Sequence, residues 1–321
     1  MSRNVLVTGA GGFIGSHLCE ALVRAGYGVQ ALVHSNAGKD FGSISQLAPE
    51  IRREIKVVLG EIRDSEQMRG LIKGKQLVFH LAALVRAPFS YQATRAFIET
   101  NVTGTLNILH ASLAHDCRII QASTSEVYGT ALYLPIDELH PLQGHSPFSA
   151  SRIASDMLAE SFFRSFKLPV TVLRPFPTYG PRQTAGVIPA LLEQLYGDSE
   201  TFDPGDGMAT LDLCYVADTV AAFLAAAGAP ASIGEVIQLG TGREVSRTEL
   251  AGLLMQLTGI RKPLTSGEGA ELGPGERSCC DAAKAQSLLD WQPHFSLEQG
   301  LQQTLAWQGI PPRLAGQRSD W

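Results

Sequence analysis

The sequence predicts an α/β protein built on a doubly wound parallel sheet, with a second, smaller mixed α/β lobe. Short apolar runs alternate with helix-period patterns through the first half of the chain, which is typical of parallel strands joined by right-handed helical crossovers. A glycine turn from Gly9 to Gly15 follows the first apolar run. After Arg174 the sequence pattern changes, because Pro175, Pro177 and Pro181 interrupt any longer helix or strand. A second lobe is therefore expected to begin at this point.

Seven apolar runs have the length and composition of buried strands. They cover residues 5–7, 29–33, 55–59, 77–81, 118–122, 170–173 and 235–239. The last run lies after the change in sequence pattern at Arg174 and is expected to return to the main sheet. We therefore expect a first domain over residues 1–174, with 211–242 partly returning to it, and a second lobe over residues 175–321.

Helix-period patterns cover residues 94–114, 146–166, 248–257 and 297–307. On the second of these helices, the predicted apolar side consists of Ile153, Met157, Leu158, Phe162 and Phe163. Long helices such as the first two often pair across a two-fold interface, so a homodimer is expected. The last residues, 311–321, are expected to form a poorly fixed tail.

The composition is that of a globular protein and excludes several function classes. Of 321 residues, 45% are hydrophobic and 18% are charged, and the net charge of -5 disfavours a nucleic-acid partner, which calls for a basic face. The five cysteines show no paired spacing beyond Cys279 and Cys280, so we interpret them as structural residues in a reducing compartment. No apolar run approaches membrane-spanning length, and no signal peptide precedes the first strand. A cytoplasmic protein with no membrane partner and no metal site is expected.

Strand, tight turn and helix follow one another around the glycines at positions 9, 12 and 15. Residues without a side chain let such a turn bend sharply, let a pyrophosphate approach the backbone, and let the helix pack closely on the strand. The anion then lies at the positive N-terminal end of the helix. An ordinary strand-to-helix turn is the alternative, but the complete pattern favours dinucleotide binding by Gly9, Gly12, Phe13, Ile14 and Gly15.

Other cofactor contacts are expected where later strands end, because ligands of open α/β sheets bind at the carboxyl edge. The second strand ends in His34 rather than in the acid that commonly grips the adenosine ribose. No arginine pair favours a 2′-phosphate there, so NAD is preferred over NADP. Glu61 and Ile62 follow the third strand, and the small stretch Leu81-Ala82-Ala83 ends the fourth and allows a cofactor to approach closely.

The segment Ser123-Thr124-Ser125-Glu126-Val127-Tyr128-Gly129 follows the fifth strand at the same edge. This arrangement puts hydroxyl groups and a carboxylate beside the cofactor. A polar loop that caps neighbouring backbone is the alternative interpretation, since Ser and Thr commonly have that role.

Together, these motifs strongly resemble those of the extended short-chain dehydrogenase/reductase family, in particular its nucleotide-sugar dehydratases and decarboxylases. The resemblance runs from Val5 to about Trp307, and the combination of motifs makes it specific. The matching stretches are residues 8–15, 79–83, 99–102, 123–129, 173–176, 178–182 and 274–276. The resemblance implies a Rossmann domain that holds NAD tightly, with Asn101 and Pro175 among the cofactor contacts.

The resemblance also implies a mechanism. NAD oxidises a sugar hydroxyl at carbon 4, a base removes the acidified hydrogen on carbon 5, and the carbon-6 hydroxyl leaves as water. By position, Thr124 hydrogen-bonds the carbon-4 oxygen, Glu126 is the base at carbon 5, and Ser125 lies beside them. Apolar Val127 and a buried ligand are expected to raise the pKa of Glu126 toward neutrality, which suits acid/base work.

The chain departs from the family at the catalytic Tyr-x-x-x-Lys motif. Phe148 stands at the usual Tyr position and Arg152 at the usual Lys position. Arg152 retains a positive charge and ribose-facing donors, whereas Phe148 cannot carry a proton. Either the protein is a binding module that has lost its catalysis, or another group handles the proton on the carbon-4 oxygen. We prefer the second alternative because Thr124 and Glu126 are retained, and the candidate replacements are Tyr179, Thr124 or a water molecule.

Further departures concern residues that hold the diphosphate or its loop in the family. Pro177 occupies a position where the family often has an Asn, and Leu211 and Gly273 occupy positions where it has an Arg. The remaining candidates for contact with the substrate are Val85, Thr124, Tyr179, Arg182, Arg243 and Arg277, together with Val187-Ile188, which resembles the nucleobase-binding turn of the family. For any single surface Arg, a solvated charge is the more common role.

These expectations converge on an NAD-dependent nucleotide-sugar dehydratase that acts on UDP-N-acetylglucosamine or a close relative. Reduction at carbon 6 gives a 4-keto-6-deoxy sugar. Reduction back at carbon 4 gives a 5,6-alkene, as in the 5,6-dehydratases of tunicamycin-type antibiotic biosynthesis, and the altered residues 148 and 152 make this product a hypothesis to test. The alternatives are a 4-epimerase, which Glu126 disfavours because many epimerases of the family lack an acid there, and a non-catalytic protein that binds NAD and sugar nucleotides, which Phe148 favours.

Overall fold

The structure, a computed structural model, describes residues 3–34, 41–207, 209–265 and 277–310. Gly273, the 274–276 motif and the predicted tail at 311–321 lie outside the described residues. Within the described ranges, no helix combines the length and the apolar character needed to cross a membrane.

A seven-stranded sheet forms the centre of the molecule, and all its neighbouring strands are parallel. The strands of the chain are β1 Asn4–Thr8, β2 Gly28–His34, β3 Ile55–Gly60, β4 Leu77–His80, β5 Arg118–Ala122, β6 Val170–Pro175, β7 Thr178–Tyr179, β8 Thr210–Asp212, β9 Cys214–Tyr215, β10 Val236–Leu239 and β11 Glu244–Ser246. In the main sheet the order is β10-β6-β5-β4-β1-β2-β3. From β1 the chain adds β2 and β3 on one side and then β4, β5, β6 and β10 on the other, so the order of addition switches sides between β1 and β4. This is the order of a doubly wound Rossmann sheet and confirms the predicted fold class.

Helices cover both faces of the main sheet. Those in the described ranges are α1 Phe13–Arg24, α2 Pro49–Arg53, α3 Ser65–Ile72, α4 Ala87–Ser90, α5 Thr94–Phe97, α6 Thr105–Ala114, α7 Pro147–Phe166, α8 Val187–Tyr196, α9 Val216–Gly228, α10 Arg247–Thr258, α11 Ala283–Leu289 and α12 Leu297–Trp307. Val5 and Val7 of β1 belong to the core layer that contains α1 and α9, whereas Leu6 belongs to the layer that contains α3, α6 and α7. Burial on both faces explains why the strands are almost continuously apolar.

The helix predicted over 94–114 is interrupted by a π-helical segment, Ile98–Gly104, between α5 and α6. The buried Asn101 lies in this segment. Its side chain accepts a hydrogen bond from Leu84 N at 2.8 Å and donates to Leu84 O at 3.0 Å and to Ser151 Oγ at 2.9 Å. The interruption, a feature frequent at functional sites, thus ties the loop after β4 to α7.

The helix predicted over 146–166 is α7, and Ser146 caps it in a reciprocal pair with Ser149. Its predicted apolar side is wrong at Met157, which is 44% exposed. The buried face is largely polar, with Phe148, Ser151, Arg152, Ser155, Asp156, Ala159 and Phe162 at helical spacing. Ser151 and Ser155 donate to carbonyl oxygens of α7 itself, whereas Arg152 and Asp156 find their partners at the carboxyl edge of the main sheet.

Strand β10 pairs with β6, so the run at 235–239 returns to the main sheet as expected. The short strands form two further pairs, β7 with β9 in parallel and β8 with β11 in antiparallel orientation. Residues of β7, of the loop before α8 and of the segment between β8 and β9 line the same cavity as the edge of the main sheet. The later part of the chain therefore supplies one wall of the candidate site.

Candidate active site

A cavity of about 680 Å³ runs along the carboxyl edge of the main sheet. Residues at the ends of its strands line the cavity, and they include Gly9 after β1, His34 of β2, Gly60 of β3, Leu81 after β4, Ala122 of β5 and Pro175 of β6. Strands β3 and β6 are separated by five strand spacings, roughly 24 Å at about 4.8 Å each. The cavity is therefore elongated, and it crosses the point between β1 and β4 where ligands bind in such folds.

Close approaches of the backbone shape the turn after β1. Gly9 has a φ of +70°, and a Cβ atom on it would lie 2.6 Å from the amide nitrogen of Ala82. A Cβ atom on Gly15 would lie 2.2 Å from the carbonyl oxygen of Gly9. Gly12 is the N-cap of α1 and provides no side-chain cap, so the first N–H groups of the helix fit a pyrophosphate. The turn residues that line the cavity are Gly9, Gly12, Phe13, Ile14 and Gly15.

A carboxylate lies beside the end of β2 although β2 itself ends without one. Glu61 Oε2 is 3.1 Å from His34 Nε2 and accepts a hydrogen bond from Arg63 at 2.9 Å. Burial favours a higher pKa for Glu61, but the hydrogen bonds from Arg63 hold the pKa below its usual value. Glu61 is therefore an anion, and its charge disfavours a 2′-phosphate at this end of the cavity.

A chain of buried side chains holds the loop after β4. His80 Nδ1 is 2.8 Å from Thr8 Oγ1, and His80 Nε2 is 3.0 Å from Thr105 Oγ1. Because Thr105 donates its own proton to Asn101 O, it accepts from Nε2–H, and Thr8 then donates to Nδ1. Burial lowers the pKa of His80 to about 3, in agreement with a neutral ring. Thr8 also accepts from Ala82 N at 3.2 Å, so the histidine is structural and orients the loop.

Residues 123–128, called the catalytic segment for the role that the family resemblance implies, leave the end of β5 and enter a short 3-10 helix, Ser125–Tyr128. Thr124 caps this helix, and its Oγ1 accepts a hydrogen bond from Glu126 N at 3.2 Å. Because that bond uses a lone pair, the hydroxyl proton of Thr124 can be donated to an oxygen in the cavity. Thr124, Ser125 and Glu126 all line the cavity, and the Glu126 side chain is exposed. The segment therefore presents a hydroxyl donor and a carboxylate to one cavity.

Phe148 and Arg152 lie one helical turn apart on α7, and both line the cavity. Phe148 is 3% exposed and packs edge-on against Phe97, with ring centroids 6.2 Å apart. Arg152 is 4% exposed and donates from Nη2 to the carbonyl oxygen of Ala122. Burial lowers the pKa of Arg152, and the nearby Asp156 opposes that shift. An apolar wall with a buried guanidinium one turn away thus stands where the family has a phenol and an ammonium group.

The fully buried Asp156 joins α7 to β5 and β6 behind the catalytic segment. Its carboxylate accepts hydrogen bonds from Ser123 Oγ at 2.8 Å, Gln121 Nε2 at 3.2 Å and Arg174 Nε at 3.0 Å. Arg174 also donates to the Tyr128 hydroxyl at 3.0 Å. Burial raises the pKa of Tyr128 to about 12 in spite of Arg174, so this phenol stays protonated and is not a base. The network fixes both ends of the catalytic segment.

The interpretation of Tyr179 as a replacement for the missing Tyr is wrong. Its ring contributes to the cavity wall, but its hydroxyl donates to the carbonyl oxygen of Leu297 at 3.1 Å. A Cβ atom on Gly300 would lie 2.1 Å from that hydroxyl, so α12 encloses it. Burial also raises the pKa of Tyr179 above its usual range. Thr124 and water remain as candidates for the proton on the carbon-4 oxygen.

The arginines expected to meet a diphosphate lie outside the cavity lining. Arg182 is buried against α1, where its Nη2 lies 2.6 Å from His17 Nδ1 and donates to Glu20 at 2.8 Å. Arg277 pairs with an acid of β11, and Arg243 pairs with an acid of α10. Each guanidinium is therefore already bound to an acid of the chain.

Most of the other residues named from the sequence line the cavity, namely His34, Glu61, Ile62, Leu81, Ala82, Ala83, Val85, Pro175 and Val187. Asn101 and Ile188 do not, since both side chains are buried behind it. Asn101 binds the backbone of Leu84, whereas Ile188 packs in the apolar core. Asn101 and Ile188 therefore support residues that line the cavity but do not line it themselves.

Cavity residues after β6 were not named as site residues from the sequence, and they include Phe176, Thr178, Gln183, Gly186 and Leu213. Phe176 and Thr178 lie in the matching stretches 173–176 and 178–182, which is the signal that could have found them, whereas only the folded chain reveals the other three. The role of Asp156 was also missed. It follows Arg152 by four residues, which puts both on one helix face, and this spacing is the signal that points to it.

The profile of the GDP-mannose 4,6-dehydratase family matches residues 6–304. The chain belongs to this family. It is 33% identical over 322 residues to the UDP-N-acetyl-alpha-D-glucosaminuronate decarboxylase of Bacillus cytotoxicus, with 96% of this chain and 98% of that protein covered. It is 30% identical over 312 residues to the dTDP-glucose 4,6-dehydratase of an Actinoplanes species, with 94% of this chain and 97% of that protein covered.

A similar solved structure is that of the UDP-glucuronic acid 4-epimerase of Bacillus cereus in complex with UDP-glucuronic acid and NAD. Its TM-score is 0.86 at 28% identity, with 95% of this chain and 98% of that chain covered. The chain is thus a member of the NAD-dependent sugar-nucleotide dehydratases and epimerases. Because relatives with different reactions share the scaffold, the reaction must be argued from the catalytic segment and α7.

Proposed function

We propose that the protein is an NAD-dependent nucleotide-sugar dehydratase that acts on UDP-N-acetylglucosamine or a close UDP-sugar relative. NAD is its cofactor, and the glycine turn, Glu61 and the small residues after β4 would hold it. Bound NAD supplies the oxidation and the reduction of the sugar. The observation that carries the proposal is that Thr124 and Glu126 present a hydroxyl donor and a carboxylate to one cavity.

Thr124 is proposed to donate a hydrogen bond to the carbon-4 oxygen, since its lone pair is already engaged by Glu126 N. Arg152 supplies a positive charge near this oxygen, which stabilises negative charge that develops there. Phe148 has no group that exchanges a proton, so the proton of the carbon-4 hydroxyl passes to water.

Glu126 is proposed to act at carbons 5 and 6. A ketone at carbon 4 acidifies the hydrogen on carbon 5, and the carboxylate removes it. The resulting carboxylic acid then returns the proton to the carbon-6 hydroxyl, which leaves as water. One residue can therefore serve as base and acid, as is common in general acid–base catalysis.

The substrate diphosphate is proposed to lie at the N-terminus of α8. Gly186 and Val187 line the cavity there, and no side chain caps this helix of 10 residues. In the described ranges, Arg152 is the only lysine or arginine that lines the cavity. With so few cations, the N–H groups and the dipole of the helix are the best available partners for an anion.

A 4-epimerase is the second candidate, and the likeness to an epimerase structure with a TM-score of 0.86 favours it. Epimerisation changes carbon 4 alone and gives Glu126 no role. A protein that binds NAD and sugar nucleotides without catalysis is the third possible outcome, and the apolar wall at Phe148 favours it.

Product analysis separates these candidates. The purified protein is incubated in heavy water with a panel of UDP-sugars, and the products are identified by mass spectrometry and NMR. We expect loss of water, with either a 5,6-alkene or a 4-keto-6-deoxy sugar as product. Phe148 and Arg152 replace the family residues that are expected beside carbon 4. The more specific hypothesis is therefore that the hydride returns to carbon 4, which gives the alkene. An epimer formed without loss of water would contradict dehydration, and no turnover with no exchange at carbon 5 would contradict both enzyme functions.

The base is tested by Glu126→Gln, which keeps the size of the side chain and removes its proton-accepting charge. We expect kcat to fall roughly 10²-fold or more. Glu66→Gln is the matched control, since Glu66 is an exposed residue of α3 outside the cavity lining. Full activity of the Glu126 variant would exclude Glu126 as the base.

We also propose a homodimer formed through the helical region 94–114 and α7. Apolar side chains are exposed on both, with Ile98 at 45% and Met157 at 44%. Burial of such side chains against a second copy would stabilise a two-fold interface. Light scattering of the purified protein gives the mass that tests this assembly.

A further inference from the structure

Arg182 is a buried cation for which the proposed chemistry has no role. It lies in the loop 180–186 between β7 and α8, is 7% exposed, and does not line the cavity. Its neighbours do, since Gln183 and Gly186 of this loop line the cavity together with Val187, the first residue of α8. These three residues are called the loop wall. Arg182 therefore borders a part of the cavity surface that it does not itself form.

The loop is bound to the middle of α1. Arg182 Nη2 donates to Glu20 Oε2 at 2.8 Å and lies 2.6 Å from His17 Nδ1, while His17 Nε2 lies 2.9 Å from the carbonyl oxygen of Pro181. Because Nδ1 accepts a hydrogen bond from the guanidinium, Nε2 carries the ring proton and donates to Pro181. Burial and the charge of Arg182 lower the pKa of His17 to about 4, in agreement with a neutral ring. Every atom of this attachment thus has a defined donor or acceptor role.

The attachment holds an unusual backbone conformation. Arg182 has a φ of +69°, in the left-handed region that residues other than glycine rarely adopt. Such a conformation persists where the surrounding contacts fix it. Burial favours a higher pKa for Glu20, but the hydrogen bonds from Arg24 and Arg182 hold the pKa below its usual value, so the contact with Arg182 is an ion pair. The path of the loop therefore depends on its attachment to α1.

The remaining contacts fix other sides of the loop wall. The apolar core holds α8 through Ile188, Leu191, Leu192 and Leu195. Gln183 donates to carbonyl oxygens of the loop itself and of β7. Gly186, the N-cap of α8, has a φ of +121° and no side chain with which to bind a neighbour. In the described ranges, the hydrogen bonds that join the loop to α1 are therefore those of Pro181 and Arg182.

The helix that receives this attachment also begins at the proposed NAD site. Phe13, the first residue of α1, lines the cavity, and the rings of Phe13 and His17 pack edge-on with centroids 5.7 Å apart. A loop bound to His17 and Glu20 takes its position from the element that follows the glycine turn. Arg182 thus sets the distance between the glycine turn and the loop wall.

We propose that Arg182 is a positioning residue that holds the loop wall in place for the UDP part of the substrate. It acts through Glu20 and His17 and touches neither the substrate nor NAD. The inference rests on the proposed function in that the ligand is taken to be a UDP-sugar whose UDP part meets the loop wall. Loss of the attachment should weaken the binding of UDP and leave NAD in place.

The test is titration calorimetry of UDP with the NAD-loaded protein, together with the NAD content of each purified variant. Arg182→Met removes the guanidinium and keeps an unbranched side chain. We expect the Kd for UDP to rise roughly 5- to 20-fold, because the ligand then has to order the loop wall as it binds, with the NAD content unchanged. Arg24→Met is the matched control, since Arg24 also pairs with Glu20 but belongs to α1 and leaves the loop attached. Its Kd should stay within about twofold of the native value.

Two further measurements separate positioning from other roles of Arg182. A charge that only attracts UDP at long range is screened by salt, so its effect would vanish at about 0.5 M NaCl, whereas a displaced loop wall keeps its effect. With a UDP-sugar that turns over, KM should rise while kcat stays within about twofold, since Thr124 and Glu126 belong to another wall. If Arg182→Met does not fold, Glu20→Gln removes the charge at the other end of the attachment and should weaken UDP roughly 3- to 10-fold.

Native affinity for UDP in Arg182→Met and Glu20→Gln would overturn the inference, as would an equal loss of NAD and UDP, an equal effect of Arg24→Met, an effect that vanishes in salt, or no binding of UDP to the native protein. Because binding is measured without turnover, the two proposals fail separately. A protein that shows the Arg182 effect but forms no product contradicts the dehydratase alone. A dehydratase whose affinity for UDP is indifferent to Arg182→Met contradicts this inference alone.

Discussion

The two halves of the cavity are held together in different ways. In the cofactor half, at the turn after β1, the packing of the backbone sets the shape of the cavity. Gly9 and Gly15 approach other main-chain atoms too closely to carry a side chain. In the catalytic half, formed by residues 123–128 and α7, buried side chains join separate elements. Asp156 binds Ser123, which lies 33 residues earlier in the sequence. A site made of backbone tolerates little change. A site made of side chains can alter its chemistry one residue at a time, as Phe148 and Arg152 illustrate.

The largest effect is expected where the catalytic half depends on one charge. Asp156→Asn leaves the buried Arg174 without its anion, which should cost about 3 to 5 kcal/mol in the free energy of unfolding. Urea unfolding followed by circular dichroism measures the loss. Glu160→Gln, one turn further along α7, breaks a surface pair with Arg164 and should cost less than about 1 kcal/mol. If both variants lose the same small amount, the side-chain network does not hold this half.

A methyl group in the glycine turn tests the cofactor half. In Gly15→Ala the new carbon would lie 2.2 Å from the carbonyl oxygen of Gly9, a contact that only a shift of the backbone can relieve. We expect NAD to bind roughly 100-fold more weakly, equivalent to about 2.7 kcal/mol. The NAD content of the purified protein and titration calorimetry measure this effect. Gly252→Ala on α10 meets open space and serves as the control. Native affinity in Gly15→Ala would mean that backbone packing does not set the turn.

The same difference explains how much of the molecule the sequence predicts. The seven strands and the glycine turn are predictable because their determinants are local, namely continuous apolar runs and three glycines within one turn. The partners of buried polar groups are not local. Tyr179 was misinterpreted because its hydroxyl meets Leu297, 118 residues later. Arg182 was assigned to a diphosphate, but its partner His17 is 165 residues away on α1. No short pattern encodes such contacts.

The smallest expected effect bears most directly on function. Phe148→Tyr restores a phenol in the cavity wall one turn from Arg152, whose positive charge favours the ionised form and so lowers the pKa of the phenol. If transfer of the carbon-4 proton limits the rate, kcat should rise about 10-fold, equivalent to about 1.4 kcal/mol, and the pH profile should gain an ionisation. Product formation across the pH range measures both, and Phe166→Tyr, at an exposed site of the same helix, is the control. An unchanged rate and profile would mean either that transfer of the carbon-4 proton does not limit the rate or that the carbon-4 oxygen does not lie beside Phe148, in which case the catalytic half differs from its relatives in geometry as well as in residue type.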